Sequence, residues 1–189
     1  MAIPSDTSNN PALEDMAVWM GASTAAVAAF FADVPGDRFA IRRDPAAWAP
    51  AEHLDHLIRS IRPVARALGL PRPALRLTFG AAPAQAETYT QLYERYLGLL
   101  RGGAGATGRF LPAAPVPNAS PEAVRHDLLE RWGAAARELQ RRLHTWPSRD
   151  LDRLALPHPL LGTLSVRGML FFTHFHNRHH VNDVIGLLA

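Results

Sequence analysis

The sequence predicts an all-α protein, a four-helix bundle with long connecting loops. Three observations carry that prediction. Five stretches repeat apolar residues at helical spacing, and at least four of them are long enough to bundle. The intervals between them are rich in proline and glycine. No convincing pair of strand-like runs interrupts the pattern, and no repeat at a solenoid period is present.

The polar residues 1–10 are expected to form a disordered tail, and residues 11–189 a single domain. Asn10 and Pro11 read as an N-cap and first helical proline, opening a helix to about Ala32 that stops before Val34-Pro35-Gly36. Pro50 opens a second helix to about Leu68. Its stripe is His53, Leu57, Ile61, Val64 and Leu68, and Pro63 within it predicts a kink. Gly69 to Gln85 reads as irregular, with a short extended stretch from Leu75 to Phe79. A third helix runs from about Glu87 to Arg101 and stops at Gly102-Gly103, and Gly103 to Ala119 forms a long loop. Ser120-Pro121-Glu122 starts a fourth helix, patterned from Val124 through Leu128, Trp132 and Leu139 to Trp146. A loop with Pro157, Pro159 and Gly162 leads to a last helix from about Ser165 to Leu188.

Composition removes several kinds of chemistry. There is no cysteine, which excludes disulfides, thiolate nucleophiles and cysteine-based zinc sites. All 20 basic residues are arginine, so a lysine Schiff base is excluded as well. The net charge is only +3 and the arginines are scattered, which argues against nucleic-acid binding. Residues 1–10 lack the basic and apolar regions of a signal peptide. Met16 to Ala32 is uncharged but rich in alanine, and reads as a buried bundle helix and not a membrane span. The expectation is a cytoplasmic protein. Spare apolar helix faces leave room for a homodimer.

Chemistry concentrates in the histidines. His176 and His180 stand four apart on one helix and can direct ring nitrogens at a single ion. His179 points about 80° away from that pair and His174 lies on the opposite side, at about 100° per residue. Thr173 and Asp183 flank the pair, one turn before and one turn after. Two histidines make half a site, and no glutamate follows the first, so the H-E-x-x-H pattern of zinc proteases is absent. A third ligand must come from another helix. The second helix offers His53, in its apolar stripe, and His56 beside it, with Ser60 one turn on; spacing alone leaves both open.

Trp48-Ala49-Pro50-Ala51-Glu52-His53-Leu54-Asp55-His56-Leu57 resembles the W-S-x-x-E-x-L-x-H-L entry to the second helix of DinB-like proteins. The stretch from His158-Pro159 through Gly162 and Thr163, then Phe172 to Ile185, resembles that family's closing helix, with its H-x-x-x-H followed by a glutamine. The resemblance spans about Leu13 to Leu187. It implies a bundle in which His56, His176 and His180 bind one divalent transition metal ion, whether zinc, nickel, iron or manganese. Two positions depart from the pattern. Ala49 replaces a serine or threonine N-cap worth ~1 kcal/mol. Asp183 stands in place of the glutamine, as a partner for an imidazole N–H or as a solvated acid.

Three imidazoles leave a coordination position open, as catalytic sites do. The resemblance also implies a reaction class: some DinB-like proteins are transferases or isomerases that use a low-molecular-weight thiol as cosubstrate. The leading expectation is such an enzyme acting on a small molecule, with a metal-activated hydrolase second. The alternative from another class is a non-catalytic stress-response or binding module whose metal is structural or incidental. Arg109, with Phe110, can reach an anionic substrate from the long loop, and Trp48 can pack against the site. Trp19, Trp132 and Trp146 are assigned to the core. Glu52 is read as an acid at a helix start, and His126, His144 and His158 receive no role.

Overall fold

The structure, a computed structural model, describes residues 13–113 and 119–189. The expected tail and the Asn10-Pro11 helix start lie outside the described residues. Four long helices form the bundle: α1 (Leu13–Asp33), α3 (Pro50–Leu68), α6 (Pro121–Leu143) and α7 (Val166–Leu188). Two short helices, α2 (Gly36–Phe39) and α4 (Arg72–Phe79), lie in the connections, and α5 (Tyr89–Arg101) packs outside the bundle on α7. Around the bundle α1 touches α6 and α7, and α3 touches the same two helices from the other side.

The start signals act locally as their chemistry requires. Ser120 accepts a hydrogen bond from the Ala123 N–H, and Ser165 does the same for Gly168. Ala49 has no side chain to cap α3. Glu52 instead reaches back to the Ala49 N–H at 2.9 Å and is gripped by Arg42. The core draws on every bundle helix, with Met20 and Phe31, Leu54 and Ile61, Trp132 and Leu139, and Phe171 and Val184 all buried. Burial of each large apolar side chain contributes about 1.5–3 kcal/mol. Trp132 also ties α6 to α1 by donating its Nε1–H to the Thr24 carbonyl at 3.0 Å. Helix α1 has the length and composition of a membrane span, yet half of its most apolar stretch is buried against the bundle.

Three expectations need correction. Leu75 to Phe79 is not extended but belongs to α4. Pro71 and Pro73 read as breakers, yet they sit at the helix start, where a missing N–H leaves no bond unmade. Trp146 lies beyond the end of α6, still buried, with its Nε1–H on the Leu68 carbonyl at 2.9 Å. The loop before α7 contains an antiparallel hairpin, β1 (Ala155–His158) with β2 (Gly162–Ser165), pairing Ala155 with Ser165 and His158 with Gly162. Its three-residue turn closes on Gly162, whose φ of 70° suits glycine. Two strands have edges only, so Pro157 is tolerated there.

Candidate metal centre

The start of α3 faces the middle of α7. His56, nearly two turns into α3, places its Nε2 3.1 Å from His176 Nε2, and His180 Nε2 lies 3.0 Å from the same atom. All three rings are buried, and one nitrogen from each falls within 4.8 Å of the others. His53 also reaches the cluster, but through the far side of His180, with the two Nδ1 atoms 2.8 Å apart. His53, His180 and Asp183 form a second grouping whose donor atoms also lie within 4.8 Å of one another. It uses His180 again and includes a half-exposed carboxylate, so the three-histidine group is the more enclosed donor set.

Hydrogen bonding prepares the three-histidine group for a cation. His56 Nδ1 stands 2.7 Å from the Phe110 carbonyl oxygen, which can only accept, so the proton sits on Nδ1 and Nε2 presents a lone pair. Burial pushes the His176 and His180 pKa values well below the ordinary range, and neighbouring histidines add to the effect. His53 is pushed down to about 4 by burial, then by His56 and His179. For His56 burial also wins, although the Phe110 bond and Asp55 oppose it. The cluster is therefore neutral at pH 7. Neutral imidazoles whose Nε2 atoms crowd together cannot satisfy one another with the protons available, and a divalent cation suits that donor set.

Asp55, the residue before His56, holds the loop that supplies Phe110. Its carboxylate accepts from the Ala113 N–H at 2.9 Å, Arg59 Nε at 2.6 Å and Arg131 Nη2 at 2.8 Å. Burial raises its pKa, but these donors outweigh that and hold it below the usual carboxylate range.

The other expected site residues fall out differently. Asp183 Oδ2 lies 3.6 Å from His180 Nδ1 and 3.3 Å from His179 Nε2, so it stands beside the cluster. Burial raises its pKa. Trp48 packs its indole 5.0 Å from the His56 ring and stacks at 6.0 Å on His180. Arg109 lines the mouth of the cavity described below, its guanidinium 5.1 Å from the Phe110 ring. Ser60 donates to the His56 carbonyl at 2.9 Å, bracing the helix at that residue. Thr173 is not brought to the cluster: its hydroxyl bonds the Met169 carbonyl within α7. His174, expected opposite, packs into the core with Nδ1 3.0 Å from the Tyr89 hydroxyl.

The cluster forms one wall of a cavity of about 740 Å³. The remaining walls are largely apolar, with Val64, Phe79, Leu100, Leu156, Met169 and Phe172 among them. That volume suits a small organic molecule. His158, without a role in the sequence reading, lines this cavity, and Asp55 as a loop anchor is not anticipated there.

A family model described as the DinB superfamily matches residues 21–184. Among solved structures, the crystal structure of TT2238, a four-helix bundle protein, aligns with a TM-score of 0.56 at 16% identity. The alignment covers 92% of this chain and 98% of that one, and at such identity it speaks to the fold alone. No curated protein matches the chain.

Proposed function

The chain belongs to the DinB superfamily, and from that premise we propose that it is a cytoplasmic metal-dependent enzyme acting on a small molecule. His56, His176 and His180 hold the ion. The reaction class is a transferase or isomerase using a low-molecular-weight thiol. One observation carries this reading: three buried Nε2 atoms converge on the wall of a cavity large enough for substrate and thiol fragments together.

The chain's own residues have defined tasks in this reading. The Phe110 carbonyl fixes the His56 tautomer, so that its lone pair faces the cavity. The apolar walls exclude water and strengthen electrostatic interactions inside. Trp48 closes one side of the cluster against solvent. The bound ion would acidify a thiol, or a water, in its remaining coordination position. A protein without cysteine has no thiolate of its own, which supports an external one.

The test is to load the protein with zinc, nickel, iron or manganese and assay transfer to a reporter electrophile across a panel of small thiols. Turnover that needs both metal and thiol, and disappears in His176→Ala, is expected. Metal-dependent hydrolysis without thiol would replace this reading with a hydrolase. A rate unaffected by chelation would end the catalytic reading.

A further inference from the structure

His158 ends β1 at the cavity wall, and its hydrogen bonding leaves its ring a single role. Nδ1 accepts from two backbone groups of its own turn, the Leu160 N–H at 3.1 Å and the Leu161 N–H at 3.0 Å. Both groups can only donate, so Nδ1 carries no proton and the neutral ring bears its proton on Nε2. Protonating Nδ1 would set an N–H against two others, and burial already pushes the His158 pKa down to about 4. No described residue accepts from Nε2, and the buried ring lines the cavity. The turn therefore fixes a neutral donor at that wall.

Its surroundings define what that donor can recognise. The His158 ring lies 4.1 Å from the Phe172 ring, and His176 stacks on that same ring at 4.6 Å. The donor and the histidine cluster thus flank one phenyl ring. The neighbouring cation, Arg95, is committed to Glu87 at 2.8 Å and to the Leu161 carbonyl at 3.0 Å. Leu156, Leu160 and Met169 line the cavity as well. A carboxylate seated against His158 would be buried on one neutral donor, beside an arginine already paired, which is costly; a carbonyl oxygen needs only the donor.

We propose that His158 Nε2–H binds an uncharged carbonyl oxygen of the substrate at the apolar wall beside the histidine cluster. This substrate class rests on the cavity being the substrate site of the proposed enzyme. His158 is a specificity-determining residue in that scheme, separate from the ligands.

The test uses zinc-loaded protein labelled with ¹⁵N at histidine, titrated with acetophenone, ethylbenzene and benzoate. The His158 resonances should report the Nε2–H tautomer before any addition. Acetophenone should shift its Hε2 signal and bind about three- to tenfold more tightly than ethylbenzene. In His158→Phe that preference should vanish while zinc content stays unchanged. His158→Asn, which keeps an acceptor for the turn, should lose it too, and the wild-type titration needs no variant to fold. An Nδ1–H tautomer, an unchanged preference in both variants, or a response of Hε2 to benzoate alone would overturn the proposal. Failure of the metal reading would appear separately, as absent zinc, because the His158 signals can be read with or without the ion.

Discussion

His53 and His180 are joined by one hydrogen bond between their rings. Their Nδ1 atoms lie 2.8 Å apart, so one donates and the other accepts. If His180 gives its Nε2 lone pair to an ion, its proton is on Nδ1, and His53 becomes the acceptor of that N–H. His53 then orients a ligand without being one.

Metal content separates those roles. Alanine at His56, His176 or His180 should reduce bound metal from stoichiometric to trace. His53→Ala should still load, with affinity about 10–100-fold weaker, as for loss of a group that orients a ligand. Elemental analysis and chelator competition measure both. Full retention in His56→Ala with loss in His53→Ala would reverse the assignment.

Asp55 couples stability to the site, because it ties α3 to the loop carrying Phe110. Its arginine partners are each a third exposed, so Asp55→Ala should cost about 1–2 kcal/mol and not the full value of a buried ion pair. Urea denaturation measures that loss. Metal affinity should fall with it, since the Phe110 carbonyl is no longer held on His56, and Asp55→Asn should recover part of both. A stability loss with unchanged metal affinity would make Asp55 a purely structural anchor.

Acid should unfold the metal-free protein by a predictable route. His53 and His158 are held down to about 4, and His176 and His180 well below the ordinary range, while unfolded histidines titrate near ~6.5. Below that value the unfolded chain binds protons that the folded chain refuses. The stability these groups contribute is therefore complete above pH ~6.5 and is lost as pH falls towards about 4. Asp55 and Glu52 are held below the ordinary carboxylate range and extend the loss to lower pH. Urea midpoints should be level above neutrality and decline through the mildly acidic range. A midpoint unchanged from about pH 7 to about pH 5 would contradict neutral burial of the cluster.

The sequence was informative where one element carries the whole relationship. His176 and His180 lie on a single helix, so helical period alone brings them together. His53 and His56 differ by less than one turn on another helix, and which of them meets His176 depends on how α3 and α7 pack. The bundle was legible because its four long helices carry caps and apolar stripes. The β1–β2 hairpin was not, since four-residue strands around Pro157 and Pro159 leave no alternation to count. Phe110 contributes a backbone carbonyl, which has no residue identity. His158 has backbone N–H groups of its own turn as partners, and a search for complementary side chains passes over them.

Chelation should test whether an ion at this site is catalytic or builds the fold. The buried core runs through all four bundle helices and α5, with residues such as Trp132, Leu139, Phe31 and Ile61 not among those lining the cavity. That packing does not need a cation, and the metal-free histidines are neutral, with His56 still bonded to the Phe110 carbonyl. The chelated protein should keep its helical circular dichroism and melt cooperatively. Metal at about 100 times Kd would add ~2.7 kcal/mol by mass action, or a rise of roughly 5–11 °C for a chain of this size. A larger collapse, with helicity lost on chelation at room temperature, would mean that the ion organises the bundle, as in proteins that fold only around their metal. The modest shift is the expected result, because the three histidines line a cavity wall and leave the central packing to apolar side chains.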